Sequence, residues 1–313
     1  MNTGPARQAA ARARPAMIPR TRLRFWGVRG SIPTPGPGTI RYGGNTSCVE
    51  VRVEDQIIIL DAGTGLRPLG QALAKERNRR PLNLTLLLTH THWDHIQGLP
   101  FFAPVYQARN RLRILGYAGA RQGLNHILSG QMENPFFPIG LSDVPANVRI
   151  EELEEPEFKL GKIRVRACLA NHPGVCVGYR LFTPAGSIAF FPDNECRGQR
   201  GGSDPTDRSK HARNGAGSLL EFVRDADVLV MDAQYDRAEY RSHLGWGHGC
   251  LDDVVKLALH AGVKRLFLFH HDPNHDDAKV AQMAAHGRKL VAAVKGGRLE
   301  VEAAREGLTV ELA

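Results

Sequence analysis

Six consecutive residues carry a dense group of metal-binding side chains. The segment His90-Thr91-His92-Trp93-Asp94-His95 holds three imidazoles and one carboxylate. If buried, each of these polar groups needs a partner, and cations supply partners for all of them together. On the turn after a buried strand, His90 and His92 can point one way while Asp94 and His95 point another, which predicts two cations. Imidazole and carboxylate suit zinc, manganese or iron, and zinc is the default metal for hydrolysis.

Short apolar runs along the chain predict the buried strands that would hold this cluster. The predicted strands are Arg22–Trp26, Cys48–Val53, Ile57–Leu60, Leu84–Leu88, Ile163–Ala167, Val177–Phe182, Ile188–Phe191, Val228–Met231 and Leu266–Phe269. Helices are predicted at about 66–76, 97–109, 120–130, 216–224, 251–261 and 276–294. This mixture, without repeats or an internal linker, favours one α/β domain over residues 22–313.

Five of the predicted strands run into a histidine or an aspartate. These residues are Asp61, His90, Asp193, Asp232 and His270. The carboxyl ends of strands are where α/β sheets place their chemistry, because the loops there diverge while the strands hold position. A single such aspartate would be explained as a cap, but five strands with the same ending predict one shared site.

The pattern His-x-His-x-Asp-His after a buried strand resembles the hallmark of the metallo-β-lactamase-fold hydrolase superfamily. The resemblance extends over nearly all of residues 22–275 and implies a four-layer αββα sandwich. Downstream, the third histidine of the family matches His172, its bridging acid matches Asp193 and its last histidine matches His270. The resemblance implies that one metal is held by His90, His92 and His172 and the other by Asp94, His95 and His270, with Asp193 as the bridge. Asp61 matches an early aspartate that is usually structural in the family.

The chemistry implied by this ligand set is hydrolysis. Two cations about 3.5–4 Å apart share a water and lower its pKa from about 15.7 towards neutrality, which implies attack by a metal-bridging hydroxide. The segment Trp246-Gly247-His248-Gly249 is similar to the Gly-His-Ser segment of the phosphodiesterase branch, which includes ribonuclease Z, although Gly249 replaces the usual serine. The similarity implies that His248 gives a proton to the leaving oxygen. Asp94 is expected to double as the general base, and Asp232 to act as support.

Departures from the patterns of other family members narrow the range of possible substrates. Metallo-β-lactamases generally carry cysteine where this chain has Asp193, and flavodiiron members carry glutamate where it has His92. The opening segment 25–33 and the late segment 270–273 resemble bacterial members described as cyclic-nucleotide-phosphodiesterase-like. A small anionic phosphodiester, such as a cyclic nucleotide, is therefore the favoured substrate.

Three alternatives stay open. A ribonuclease Z-like RNA 3′-end endonuclease is the main competitor, but its substrate arm is usually inserted between the third histidine and the bridging acid, where this chain has only 20 residues. Ester or lactone hydrolysis on the same fold is the next alternative, and a metal-binding scaffold without turnover is the least favoured.

Four further residues lie near the predicted site. Arg29 is in a Gly-rich loop that could approach a phosphate. His271, Asp272 and His275 are expected at the pocket rim or behind the metal ligands.

The net charge of +9 is concentrated in two segments. Residues 1–24 hold six arginines and no acid, and residues 196–216 contribute a further +3, so the rest of the chain is neutral. Both segments lack an apolar period, which predicts a disordered extension over residues 1–21, favoured over an organellar transit peptide, and a mobile basic loop over 196–216. RNA binding needs several phosphate contacts from basic side chains, so nucleic acid is the less favoured partner. The loop at 196–216 is expected to attract an anionic substrate.

The length and composition of the chain exclude several classes of protein. A chain of 313 residues with 42% hydrophobic residues can bury a large core, which excludes a disulfide-stapled mini-protein. The five cysteines have no paired spacing, which favours a reducing cytoplasm. No apolar run approaches the roughly 18 residues of a membrane helix, so no membrane partner is expected. The oligomeric state is left open, and a homo-oligomer is compatible with the sequence.

Overall fold

The computed structural model describes residues 20–76, 80–117, 123–196 and 216–312. Most of the predicted basic extension (1–21) and of the predicted mobile loop (196–216) lies outside these ranges. The first strand begins at Thr21, the last residue of the predicted extension. Among the described residues, no helix combines the length and the apolar character that crossing a bilayer requires.

The described residues form two seven-stranded mixed sheets. The strands are β1 (Thr21–Gly27), β2 (Cys48–Val53), β3 (Gln56–Leu60), β4 (Asn83–Leu87), β5 (Arg111–Gly116), β6 (Asn147–Glu152), β7 (Glu157–Leu160), β8 (Ile163–Leu169), β9 (Val177–Thr183), β10 (Gly186–Phe191), β11 (Val228–Asp232), β12 (Arg265–Phe269), β13 (Glu300–Ala303) and β14 (Thr309–Leu312). The first sheet has the order β14-β1-β2-β3-β4-β5-β6, and the second has the order β13-β12-β11-β10-β9-β8-β7. Because β14 pairs with β1, the two ends of the described chain belong to one domain.

Helices cover the outer face of each sheet. The α-helices of the described residues are α1 (Leu66–Glu76), α2 (Trp93–Ile96), α3 (Gly123–Gly130), α4 (Ala216–Val223), α5 (Arg237–Tyr240), α6 (Leu251–His260) and α7 (Asp277–Ala292), of which the four-residue α2 and α5 are too short to cover a sheet. Buried side chains of α1 and α3 pack with the first sheet, and those of α6 and α7 pack with the second. Between the sheets lies a third apolar cluster, to which Phe25 contributes from one side and Phe190 and Phe267 from the other. This arrangement confirms the predicted four-layer αββα sandwich.

Each sheet contains four adjacent parallel strands. In the first sheet these are β3 to β6, and in the second they are β10 to β13. The central strands are buried on both faces, as the pattern of β11 shows, which explains why they read as unbroken apolar runs in the sequence. The carboxyl ends of each parallel set therefore meet at one edge of its sheet.

One predicted helix is wrong. Residues 97–109 form two short 3-10 turns, Leu99–Phe101 and Ala103–Tyr106. Pro100 and Pro104 account for the difference, because proline has no N–H for a helical hydrogen bond and its ring clashes with the preceding turn. The strands β5, β6, β7, β13 and β14 were not predicted, since charged side chains alternate with apolar ones along them; β5 places Arg111 and Arg113 outward.

One buried hydrogen bond joins the two sheets below the carboxyl edge. The Tyr179 hydroxyl on β9 donates to the carbonyl of Leu88, just after β4, at 2.6 Å, and the Tyr179 side chain is fully buried. This bond spans 91 positions of the chain. It ties the strand that leads into the His90 cluster to the opposite sheet.

We expect Tyr179→Phe to lower the free energy of unfolding by about 1–2 kcal/mol, because it removes one partner of a buried hydrogen bond. Tyr117→Phe is the matched control, since its hydroxyl donates to the Glu155 carbonyl at the same 2.6 Å but near the surface. That control should change stability by less than about 0.5 kcal/mol. Urea unfolding of both variants checks this, and equal effects would contradict a special role for the inter-sheet bond.

Candidate metal centre

The seven predicted ligands converge at the carboxyl edges of the two sheets. The first sheet supplies the segment from His90 to His95, which leaves β4 and enters α2. The second sheet supplies His172 after β8, Asp193 after β10 and His270 after β12. All except His92 and His172 are buried as whole residues, although the side chain of His172 is only 2% exposed. The tertiary structure thus brings together residues separated by up to 180 positions.

Asp193 lies at the middle of the group, and its two oxygens face different histidines. Its Oδ2 is 3.6 Å from Nε2 of His90 and 3.5 Å from Nε2 of His172. Its Oδ1 is 3.1 Å from Nε2 of His95 and 3.2 Å from Nε2 of His270. The carboxylate therefore spans two sets of nitrogen atoms, one on each side.

The remaining two predicted ligands complete these two sets. Nδ1 of His92 lies 3.1 Å from Nε2 of His172, on the Oδ2 side of Asp193. Oδ2 of Asp94 lies 3.1 Å from Nε2 of His95 and 3.2 Å from Nε2 of His270, on the Oδ1 side. One set thus contains His90, His92, His172 and Asp193, and the other contains Asp94, His95 and His270. Each set has its ligand atoms close enough to hold one metal ion.

Unsatisfied polar atoms at the centre fit cation binding. Within the described part of the chain, Nε2 of His90 is buried without a hydrogen-bond partner, and Nε2 of His95 and Oδ1 of Asp193 lie 3.1 Å apart but are not aligned for a hydrogen bond. Leaving such atoms unpaired costs free energy, whereas a divalent cation would satisfy them together. Imidazole nitrogen and carboxylate oxygen are also the donors that zinc and similar ions take.

A second layer of hydrogen bonds sets the ring orientation of the histidines. Nδ1 of His95 donates to Oδ2 of Asp61 at 2.7 Å, Nδ1 of His172 donates to the Gly247 carbonyl at 3.0 Å, and Nδ1 of His270 donates to Oε1 of Gln234 at 2.9 Å. In the metal-binding form of these rings the proton stays on Nδ1, and the lone pair of Nε2 is then directed into the centre. These partners leave the rings ready to bind a cation without reorientation.

Asp61 organises the first-sheet half of the site. Besides His95, it accepts hydrogen bonds from the Ser47 hydroxyl and from the backbone and side chain of Thr89. The Thr89 hydroxyl in turn lies 3.1 Å from Nδ1 of His90. Asp61 and His270 both adopt positive φ angles, 61° and 60°, a conformation that costs non-glycine residues free energy and recurs at functional sites.

The charges of the site follow from burial and from these neighbours. Burial lowers the pKa of His90, and His95 beside it lowers this pKa further, so the His90 ring is neutral. Burial opposes ionisation of Asp193, but His270, His95 and His90 outweigh it and hold its pKa well below the usual range. Burial also lowers the pKa of His270, yet Asp193 and Asp94 outweigh this effect and raise it to about 9. The carboxylates therefore stay ionised at neutral pH.

His248, the predicted proton donor, lies next to the centre and is held by a carboxylate. Its Nδ1 donates to Oδ2 of Asp232 at 2.9 Å, and its ring stacks on His270 with centroids 4.9 Å apart. The ring is 12% exposed, so it is not closed off from solvent. The expected supporting role of Asp232 agrees with this contact.

Other sequence interpretations need correction. Arg29 does not face a phosphate site, because it is fully buried and donates to the carbonyls of Gly43, Asp272 and His275. Of the two positions expected for His271 and His275, the rim is excluded because both side chains are buried, which leaves a position behind the ligands. Asp272 acts behind the ligands, since it accepts from the Gln234 amide that orients His270.

Two residues that support the site, Glu195 and Gln234, were not predicted from the sequence. The Glu195 carboxylate accepts hydrogen bonds from the backbone N–H groups of Gly245 and Gly247 and from the Tyr240 hydroxyl. It therefore holds the loop that carries His248. Its position two residues after Asp193 was the only sequence signal that could have found it.

We expect Asp61→Asn to weaken metal binding about 10- to 100-fold, because the neutral amide holds the proton of His95 less strongly. Equilibrium competition with a chromogenic chelator measures the change. Asp55→Asn, at an exposed carboxylate between β2 and β3, is the control and should bind metal as the unmodified protein does. Unchanged affinity in Asp61→Asn would show that the ring orientation of His95 does not depend on this carboxylate.

Comparisons with known proteins agree with this geometry. Residues 56–271 match the family model described as beta-lactamase superfamily domain. A ribonuclease Z from Thermoplasma volcanium is 25% identical over 295 residues, covering 83% of this chain and 90% of the relative. The metallo-beta-lactamase fold protein YhfI from Bacillus subtilis superposes with a TM-score of 0.65 at 16% identity, covering 94% of this chain and 99% of that one.

The short form of human tRNase Z superposes similarly. Its TM-score is 0.62 at 17% identity, and the match covers 93% of this chain and 99% of that one. At such identities the solved structures show a shared fold, whereas the family model spans most of the sequence. The chain therefore belongs to the beta-lactamase superfamily, as a metal-dependent hydrolase on the branch that resembles ribonuclease Z and phosphodiesterases.

Proposed function

We propose that this protein hydrolyses small phosphodiesters with two divalent cations, zinc being the preferred metal. His90, His92 and His172 would hold one ion, Asp94, His95 and His270 the other, and Asp193 would bridge them. The observation that carries this proposal is the position of Asp193, whose two oxygens face the two sets separately. When bound, such ions supply Lewis-acid stabilisation of phosphoryl oxygens and an activated water.

His248 would supply the proton that the leaving oxygen needs. The hydrogen bond from its Nδ1 to Asp232 directs Nε2 away from that carboxylate. The stacking on His270 holds the ring beside the centre. This is the arrangement of an oriented general acid, in which one side chain holds the proton and another sets its direction.

Asp94 would orient the attacking water. Its Oδ2 accepts a hydrogen bond from the Ser31 N–H at 2.8 Å and lies beside His95 and His270. Burial raises its pKa, but those two histidines outweigh burial and hold the pKa well below the usual range. An ionised carboxylate at this position would orient the water and accept its proton, which is the general-base role that the sequence predicts.

A small substrate is favoured by the segment between His172 and Asp193. That segment forms β9 and β10, which pair with each other in antiparallel register and leave no room for an inserted arm. RNA remains the second candidate, since relatives 22–26% identical to this chain are ribonuclease Z proteins.

We also propose that residues 22–313 form the catalytic domain. The spacing of the five cysteines favours the reducing cytoplasm as the location of the protein.

We expect the zinc-loaded protein to hydrolyse bis(p-nitrophenyl) phosphate and to lose this activity on chelation, with recovery when zinc or manganese returns. Asp193→Ala should lower kcat/KM by at least about 10³-fold, because it removes a ligand that both cations share. Release of p-nitrophenolate measures the rate. Asp143→Ala, in an exposed turn, is the control. Metal-loaded protein without turnover on any phosphodiester contradicts the proposal.

Cleavage of precursor tRNA separates the two candidates. Specific 3′-end cleavage, with binding that weakens steeply as salt increases, would favour the RNA endonuclease. Hydrolysis of cyclic nucleotides, without such cleavage, would favour the small-substrate enzyme. Deletion of residues 197–215 tests whether that basic segment contributes to either KM.

We expect His248→Ala to lower kcat about 10²- to 10⁴-fold on a cyclic nucleotide but much less on bis(p-nitrophenyl) phosphate. An alkoxide leaving group needs a proton, whereas p-nitrophenolate leaves as a stable anion. Asp232→Asn should show the same dependence on leaving group with a smaller loss, because it removes only the orienting charge. Steady-state kinetics with both substrates measures the difference. Equal losses on the two substrates would argue against proton donation by His248.

A further inference from the structure

Two large indoles stay exposed beside the metal centre. Trp93 is 80% exposed, although both of its neighbours in the chain, His92 and Asp94, belong to the ligand group. Trp246 is 59% exposed and lies two residues before His248. The third tryptophan, Trp26, is by contrast buried and donates to Glu50. Burying an indole is favourable, so two that remain in solvent at the same site need an explanation.

Each tryptophan is next in the chain to a residue that contacts His172: Trp93 to His92, and Trp246 to Gly247. Trp93 follows His92, whose Nδ1 lies 3.1 Å from Nε2 of His172. Nδ1 of His172 donates to the carbonyl of Gly247, and Gly247 follows Trp246. Consecutive Cα atoms are about 3.8 Å apart, so the Cα of Trp93 lies one residue from His92, and the Cα of Trp246 lies one residue from the Gly247 whose carbonyl binds His172.

The backbone on both sides of Trp246 is held in place. Glu195 accepts hydrogen bonds from the N–H groups of Gly245 and Gly247 at 3.1 and 3.2 Å. Both glycines have positive φ angles, 85° and 86°, which favour glycine. A Cβ atom at Gly247 would lie 2.5 Å from Nδ1 of His172, so this close approach also requires glycine.

The Trp246 ring is braced by other rings as well. It packs edge to face on His243 with centroids 4.7 Å apart, and His243 stacks on Tyr235 at 4.3 Å. Tyr235 meets His248 edge to face at 6.2 Å. An exposed indole held by its backbone and by a neighbouring ring loses little conformational entropy when a ligand stacks on it, which is the property of a binding platform.

We infer that Trp93 and Trp246 form a stacking subsite for a planar ring of the substrate, so that the substrate is a nucleobase-bearing phosphodiester. This inference rests on the proposed function, since it places the phosphate at the metal centre and the ring beside the His92–His172 pair. Stacking of a base on an aromatic side chain strengthens binding about 5- to 100-fold. It accepts any base, because every base has a π-face.

Equilibrium binding to the zinc-loaded protein tests the subsite without requiring turnover. Isothermal titration calorimetry compares adenosine 5′-monophosphate with ribose 5-phosphate, which carries the same phosphate and sugar but no base. We expect the nucleotide to bind about 10- to 100-fold more tightly. Trp93→Ala and Trp246→Ala should each reduce this ratio about 5-fold or more, while the affinity for ribose 5-phosphate stays unchanged.

Two controls separate stacking from structural damage. Trp246→Phe keeps a ring and should retain most of the preference for the nucleotide. Phe136→Ala removes an equally exposed ring, 80% exposed, on the segment between α3 and β6 and should change nothing. Equal affinity for the two phosphates, no binding of either, or an unchanged ratio in both alanine variants would overturn the subsite. If the protein hydrolyses bis(p-nitrophenyl) phosphate but binds the nucleotide and ribose 5-phosphate equally, the subsite is wrong and the proposed function stands. If the protein prefers the nucleotide but hydrolyses no phosphodiester, the proposed function is wrong and the subsite stands.

Discussion

The buried carboxylate of Asp193 is the constraint on which the rest of this structure depends. It lies between four histidine nitrogens contributed by both sheets, with two of them near each oxygen. Such a concentration of polar atoms is unfavourable in an apolar interior unless every atom has a partner. The αββα sandwich resolves this by ending its parallel strands at one edge, where the groups are held by the sheets but face each other. The same strand arrangement that forms the fold therefore also brings the candidate metal ligands together.

Rigidity at this edge comes from groups behind the ligands. Asp61 holds the first-sheet half, Gln234 and Asp232 hold the second-sheet half, and Glu195 holds the loop of His248. Asp232 also accepts from the backbone of Asn194, next to Asp193, so one carboxylate orients both the proposed proton donor and the bridging segment. Catalytic geometry needs such support, because a small displacement of a ligand ring changes both affinity and rate.

The metal centre bears on the type of reaction, whereas its surroundings bear on the choice of substrate. The candidate ligand set accounts for metal-dependent hydrolysis. In the function proposed above, the choice of substrate depends instead on the surroundings of the centre, namely the short β9–β10 connection and the neutral body of the domain. These two features would favour a small nucleotide over a folded RNA by shape and charge rather than by the chemistry of the bond that is broken.

The sequence by itself determined the fold class and predicted which residues are the candidate ligands. The His90–His95 cluster is local, and the downstream ligands follow apolar strands, so both signals are visible without contacts. Only the tertiary structure decided that Arg29 is buried against backbone carbonyls and that Glu195 holds residues 50 and 52 positions away. It likewise revealed the edge strands, whose charged outer faces hide their apolar pattern. The physical reason is that a side chain's role depends on its partners, and long-range partners are set by packing of the sheets rather than by spacing along the chain.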